Sequence, residues 1–230
     1  MTYLGLDSCP AGWIAVAIDD AGYLDAYIAP GIEAAVSLAD TRWTVSAVVV
    51  DIPIGIPDAG ARQADVLARR FIAPRGGSVF PTPVRTALES ASYPEAAAAS
   101  LLAQGKSLST QAYAIRDKIL DVDGFVRAGG TRVFEGHPEV SFRVLSGEGI
   151  EHPKKSFAGM LLRHELLTAA GIKVPLSIEK ELRGAKIDDI LDAAAMAWTA
   201  RRIATGDAGR FPPAIDAEHF SDGIDSTIWF

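Results

Sequence analysis

The chain has 230 residues, of which 49% are apolar and 22% charged, a composition typical of globular proteins and unlike disordered or fibrous chains. Its formal net charge of −7 argues against a protein that coats nucleic acid through bulk positive charge. The single cysteine, Cys9, excludes an internal disulfide framework; because the chain has neither a basic leader nor an apolar run near the roughly 20 residues of a membrane span, we expect a cytoplasmic protein that does not enter a membrane.

The first fifty residues predict three short strands, a helix and a buried strand. Residues 3–7, 13–19 and 23–29 are apolar or aromatic, and turns that contain glycine separate them. Residues 31–39 have the apolar spacing of a helix, and the β-branched run at 45–51 is typical of a strand buried on both faces. This order indicates an α/β domain with a mixed sheet.

The rest of the chain predicts mainly helices. Residues 61–71, 93–104 and 109–122 have helical patterns, and strand character returns only at 131–135. We therefore expect a single domain over 1–230, in which 58–130 form a mostly helical insertion or lid. Two further helices are predicted at 157–170 and 188–205, each followed by a glycine.

Acidic residues occur where predicted strands end and where the last helix begins. Asp7, Asp51 and Glu135 each end a predicted strand, and Asp189 and Asp192 are three apart, on one face of a helix. A buried carboxylate is costly unless it is paired or bound to a cation. We therefore expect all five to be catalytic and metal-binding residues that converge on Mg²⁺ or Mn²⁺, which prefer oxygen ligands. Two such ions can hold the attacking and leaving oxygens of a phosphodiester.

Each aspartate also has a simpler structural interpretation. Asp7 and Asp51 could form turns by binding their own backbone. Asp188 could cap the last helix, and Asp189 could favour its amino-terminal end. Asp192 lies one turn further along, where capping does not account for an acidic residue. The set as a whole is more specific than any member.

Basic residues and one histidine are candidates for contact with a substrate phosphate. They are Arg69, Arg70 and Arg75 in the insertion, His137 after Glu135, and Lys155 beside Lys154 before the 157–170 helix. Alternatively, the arginines and lysines form a solvated face, His137 is structural, and Glu135 pairs with His137 or Arg132.

Several segments resemble a family of bacterial and archaeal proteins described as predicted nucleases with an RNase H-like fold. They are residues 5–7 with 12–16, then 50–57, 78–83, 135–140 and 188–193. The resemblance implies an RNase H-like α/β fold with a mixed five-stranded sheet in the order 3-2-1-4-5, and a helical insertion between strands 4 and 5. It also implies that Asp7, Asp51 and the Asp189/Asp192 pair supply the catalytic acids. Resolvases of this fold usually carry glutamate where Asp51 stands, and Glu135 could compensate for the shorter side chain.

Three functions remain open at this point. The first is a metal-dependent nuclease that uses a two-metal mechanism, with Asp7 between the two ions and nucleic acid as its partner. The second is a non-catalytic binding or regulatory module on the same fold. The third is a phosphotransferase similar to actin and sugar kinases, whose first strand also carries an aspartate; residues 8–12 lack the phosphate loop of those proteins.

Overall fold

A computed structural model describes residues 1–180 and 182–230, except for the side chain of residue 179. In these residues it contains seven strands and nine α-helices, and none of the helices is long and apolar enough to cross a membrane. The strands are β1 (Thr2–Cys9), β2 (Gly12–Asp19), β3 (Gly22–Ala29), β4 (Val45–Val50), β5 (Val133–Gly136), β6 (Arg210–Phe211) and β7 (Ile228–Trp229). The helices are α1 (Ile32–Arg42), α2 (Gln63–Phe71), α3 (Arg85–Leu88), α4 (Tyr93–Gln104), α5 (Thr110–Ala114), α6 (Arg116–Arg127), α7 (Pro138–Ser146), α8 (Phe157–Ala169) and α9 (Ile187–Thr205).

The sheet is mixed and has the order β3-β2-β1-β4-β5-β7-β6. β1 pairs antiparallel with β2 and parallel with β4, β2 pairs antiparallel with β3, and β4 pairs parallel with β5. The first five strands lie in the expected order, but the expectation of a five-stranded sheet is wrong because β7 and β6 follow β5. Each of these two strands has only two residues, too few to produce an alternating sequence pattern.

Two other local expectations were wrong, and one helix was not expected. The helix expected at 109–122 is two helices, α5 and α6, which meet at Ile115. Helix α7 was not predicted, because its valines and phenylalanine resemble a strand; Pro138 begins it at a position where proline is tolerated. Asp188 does not cap α9, since the capping position is Lys186.

The chain divides into two compact units. We call residues 1–51, 130–209 and 229–230 the sheet unit, and residues 52–129 and 210–228 the helical unit. The sheet unit contains β1–β5 with α1, α7, α8 and α9, and the helical unit contains α2–α6, which follow β4 and precede β5 along the chain. That 58–130 act as a lid of one domain stays a prediction.

Close packing of α9 on the first strand organises the core of the sheet unit. A Cβ at Gly5 of β1 would lie 2.0 Å from the carbonyl oxygen of Ala193 and 2.1 Å from the amide nitrogen of Ala197. Only glycine permits this approach, and the alanines of α9 keep the helix surface flat against the sheet. Met196 and Ala200 are fully buried on the same helix.

Buried polar contacts hold the helical unit together. Arg62, fully buried, donates to Asp65 over 2.6 Å and to the carbonyl oxygen of Ile54 over 2.8 Å. Asp65 also accepts from the amide of Thr82 over 2.8 Å. These bonds tie the segment after β4 and the loop before α3 to helix α2, and they satisfy polar groups that would be costly to bury alone.

Candidate functional site

Parallel pairing of β1 and β4 places two of the predicted acids side by side. Leu6 pairs with Val50, and the amide of Asp51 donates to the carbonyl oxygen of Leu6 over 3.0 Å. Asp7 and Asp51 therefore follow directly after paired residues on neighbouring strands. Asp7 is buried, and its Oδ1 accepts a hydrogen bond from the amide of Ser8 over 2.7 Å.

Helix α9 brings a third acid to the same face of the sheet. Gly5 faces α9, so Asp7, two residues further along β1, faces α9 as well. Ala193 packs on Gly5, and its neighbour Asp192 is buried with 1% of its side chain exposed. The structure thus brings Asp7, Asp51 and Asp192 together, from a strand, a strand end and a helix.

Glu135 points to the other face. A Cβ at Gly136 would lie 2.5 Å from Cγ1 of Val49 and 2.8 Å from Sδ of Met196 on α9, so Gly136 faces α9. Because side chains alternate along a strand, Glu135 faces away from α9. Glu135 is buried, and Arg132, one of its two suggested partners, binds Asp40.

The three aspartates share a strongly unfavourable electrostatic environment for ionisation. Burial raises the pKa of Asp7 well above its usual value, and the carboxylates of Asp51 and Asp192 raise it further. Burial likewise raises the pKa of Asp51, and it raises the pKa of Asp192 to about 6. Each ionised aspartate thus disfavours ionisation of its neighbours, and a positive charge among them would stabilise all three.

Lys154 supplies one positive charge. Its Nζ lies 2.5 Å from Oδ2 of Asp192, while the buried Oδ1 of Asp192 has no hydrogen-bond partner among the described residues. The ammonium also opposes the rise in the pKa of Asp7 and Asp51. Burial lowers the pKa of Lys154, but the carboxylates, Asp192 first, outweigh burial and raise it above its ordinary value.

The remaining predicted residues of the sheet unit lie around this cluster in different roles. Asp189 is half-buried, and its Oδ2 accepts from the amide of Lys186 over 3.1 Å at the start of α9, so it serves the helix end. Its carboxylate also contributes to the raised pKa of Asp7. His137, just before α7, opposes the effect of burial on the pKa of Asp51. Lys155 is exposed.

The predicted arginines belong to the helical unit. Arg69 is exposed and donates from Nη1 to the carbonyl oxygen of Val79 over 2.5 Å. Arg70 is exposed at the end of α2, and Arg75 is half-buried in a short 3-10 turn. Their suggested role in phosphate contact stays a prediction.

Sequence reasoning missed three residues of this region. Lys154 was grouped with Lys155 and not singled out, since two adjacent lysines do not show which one turns inward. Glu139 and Arg163 were missed altogether; Arg163 donates to both carboxylate oxygens of Glu139, over 2.6 Å and 2.9 Å, and both residues are buried. The sequence feature that could have revealed this pair is an arginine among the leucines of α8.

The donor chemistry of the cluster fits a hard divalent cation, although the arrangement is not a preformed cage. Carboxylate oxygens are the ligands that Mg²⁺ and Mn²⁺ prefer, and Oδ1 of Asp192 is a buried acceptor without a donor among the described residues. Over the described part of the chain, no group of three or more His, Cys, Asp or Glu residues is arranged to hold a metal ion. Lys154 donates to Oδ2 of Asp192, an oxygen that such an ion would need as a ligand.

Comparison with known proteins identifies a family. A search of the curated proteins gave no match, and a search of the solved structures gave none. The model of a family described as "Protein of unknown function (DUF429)" matches residues 5–217, which include all the acids discussed above. Since this match spans nearly the whole sequence, the chain belongs to the DUF429 family.

Proposed function

We propose that the protein is a phosphodiesterase that depends on Mg²⁺ or Mn²⁺ and cleaves nucleic acid. The observation that carries the proposal is the meeting of Asp7, Asp51 and Asp192 on one face of the sheet, where burial raises the pKa of each. Gathering buried acids costs stability, and a divalent cation is the partner that offsets this cost most directly. The resemblance to RNase H-like nucleases supports the same chemistry, since the acids come from the corresponding elements.

Asp7, Asp51 and Asp192 would hold the cation. Burial and the carboxylates of both Asp51 and Asp192 raise the pKa of Asp7. Divalent cations at such sites activate water and neutralise charge on a phosphodiester. Glu135 has no part in this proposal, because it faces the opposite side of the sheet.

Residues around the cluster would orient the substrate and tune the acids. His137 is placed beside Asp51, whose pKa it lowers against the effect of burial. Lys155 is exposed and bears a positive charge that suits a phosphate. The nucleic acid partner, and the contribution of Arg69, Arg70 and Arg75 to binding it, belong to this proposal.

A cleavage assay tests the proposal. Labelled single-stranded DNA, duplex DNA, RNA and a four-way junction are incubated with the protein in Mn²⁺, Mg²⁺ or EDTA. We expect cleavage of at least one substrate that requires the cation and falls at least about 100-fold in Asp7→Asn and Asp192→Asn, because even residues that only support metal ligands are worth 10- to 100-fold. The control is Glu148→Gln, which removes one exposed carboxylate of the sheet unit. Equal cleavage by Asp7→Asn and the parent would contradict the proposal and reveal a contaminating nuclease.

The Lys154–Asp192 ion pair favours a second candidate, a non-catalytic module on the same fold. In that case the lysine is the permanent partner of the acids, and no cation binds. The candidate predicts no cleavage of any substrate and no response of the protein to Mn²⁺, in the parent or in Lys154 variants.

A further inference from the structure

Lys154 carries one positive charge among several negative ones. Its Nζ binds Oδ2 of Asp192, and its charge opposes the effect of burial on the pKa of Asp7 and Asp51. When all three carboxylates ionise, one ammonium cannot neutralise them. The cluster therefore keeps an excess of negative charge that a further or stronger cation would reduce.

The backbone that carries Lys154 is held in place. The amide and the hydroxyl of Ser156 both donate to the carbonyl oxygen of Pro153, over 2.9 Å and 2.8 Å. Arg163, buried on α8, donates to the carbonyl oxygen of His152 over 3.3 Å. Lys154 directly follows the two residues whose carbonyls are anchored, so its side chain can change position while the backbone before it stays fixed.

The Lys154 side chain can reach solvent. It is 37% exposed, whereas the Asp192 carboxylate it contacts is 1% exposed. A lysine stem has four rotatable methylenes and its ammonium is strongly hydrated, so moving into water costs little once the attraction of the acids is replaced. An ammonium and a divalent cation on one carboxylate repel each other, so binding of the stronger cation weakens the hold of the carboxylate on the ammonium.

We propose, on the basis of the function proposed above, that Lys154 is an internal counterion which occupies the cation position of the acidic cluster and is displaced into solvent when a divalent cation binds. The lysine then sets the cation concentration at which the site fills. It stabilises the ionised acids when the cation is scarce, and it lowers the apparent affinity of the site for the cation. This accounts for the coexistence of an unpartnered Oδ1 on Asp192 and the lack of a preformed cage among the described residues.

Mn²⁺ calorimetry on lysine variants tests the displacement. Lys154→Met removes the counterion, Lys154→Gln removes the charge but keeps a polar head group, and Lys155→Met removes the adjacent exposed charge as the matched control. We expect both Lys154 variants to bind Mn²⁺ at least about tenfold more tightly than the parent, since they lose a like charge at the site. Lys155→Met should stay within about twofold, because an exposed charge is screened. Circular dichroism in Mn²⁺ checks that each variant is folded.

The outcomes separate this inference from the proposed function. If the parent binds Mn²⁺ and Lys154→Met and Lys154→Gln bind equally or more weakly, the inference is overturned while the cation site stands. If neither the parent nor any Lys154 variant binds at millimolar Mn²⁺, both are overturned. Binding by the Lys154 variants alone supports the inference.

Chemical labelling provides a direct readout of the lysine's position. Limited acetylation followed by tandem mass spectrometry distinguishes Lys154 from Lys155 in one peptide. We expect saturating Mn²⁺ to raise the labelling rate of Lys154 severalfold and to leave Lys155 unchanged, because only Lys154 leaves an ion pair. No increase at Lys154 under saturating Mn²⁺ would overturn the displacement.

Discussion

Gly5 of β1 and Ala193 of α9 lie so close that a Cβ at position 5 would come within 2.0 Å of the Ala193 carbonyl oxygen. This contact fixes the height of α9 above the sheet. It also sets the acidic cluster, because Asp7 is two residues from Gly5 and Asp192 is next to Ala193. The packing of a small-residue helix on a glycine is thus what brings a helix carboxylate to a strand carboxylate.

Gly5→Ala should destabilise the protein strongly. The added methyl group meets backbone atoms of α9, which cannot move without lifting the helix from β1, so we expect a loss of about 3 kcal/mol in the free energy of unfolding. Urea denaturation followed by circular dichroism measures this loss. The matched control is Gly124→Ala in α6, where no heavy atom lies within 4 Å and alanine should stabilise the helix by up to about 1 kcal/mol. Similar denaturation midpoints for the two variants would show that the close packing is wrong.

Asp7→Asn should stabilise the protein in EDTA at pH 7.5. Asparagine keeps an oxygen for the amide of Ser8 and removes a carboxyl group whose ionised form is disfavoured by burial and by Asp51 and Asp192. We expect a gain on the order of 1 kcal/mol. Thermal or urea denaturation measures it against Glu148→Gln, which removes an exposed carboxylate and should change little. A destabilised Asp7→Asn variant would mean that the Asp7 charge is already compensated.

The pH dependence of stability should carry the signature of Asp192. Its pKa rises from 3.8 to about 6 in the native protein, so its protonated form stabilises the fold. This contribution is fully present below pH 3.8 and is lost as the pH rises through about 6. Relative to Asp192→Asn, the parent in EDTA should therefore lose on the order of 2 kcal/mol between pH 4 and pH 7.5. A constant difference between parent and variant over that range would contradict the raised pKa.

Arg163→Met should destabilise the sheet unit by about 3–5 kcal/mol, since it leaves the Glu139 carboxylate buried without its partner. The double variant Glu139→Gln/Arg163→Met should recover much of this loss, because no unpaired charge remains. Arg127→Met, which removes an exposed arginine of α6, should cost less than about 1 kcal/mol. Urea denaturation compares the three. If the double variant is as unstable as Arg163→Met, the cost does not come from the unpaired carboxylate.

Local pattern predicted much of the fold. The β-branched run of β4 and the aromatic and β-branched residues of β2 identify strands from adjacent residues alone. Helix α7 was not predicted because Val140, Phe142 and Val144 alternate with other residues as in a strand. Its helical form depends on burial in the sheet unit. The two-residue strands β6 and β7 leave no pattern at all.

The positions of the site's acids could be inferred only in part. Asp51 directly follows β4, and Asp7 lies on the neighbouring strand β1 just after the residue that pairs with Val50, which makes their proximity a consequence of topology. The orientation of Glu135 depends on which residues of β5 face α9, and its four residues do not reveal this. The choice of Lys154 over Lys155, and the Glu139–Arg163 pair, depend on contacts between residues 24 to 38 positions apart in the chain. Such contacts have no local sequence signal.

Calorimetric titration of Mn²⁺ into the metal-free parent and into Asp7→Asn tests the central claim, that the three aspartates form a divalent cation site. We expect binding by the parent and a loss of at least about tenfold in affinity in Asp7→Asn, because the variant removes one carboxylate ligand of the cation. Binding of equal strength by the two proteins would place the cation elsewhere and contradict the account. No binding by the parent or by the Lys154 variants at millimolar Mn²⁺ would contradict it as well and favour the non-catalytic module.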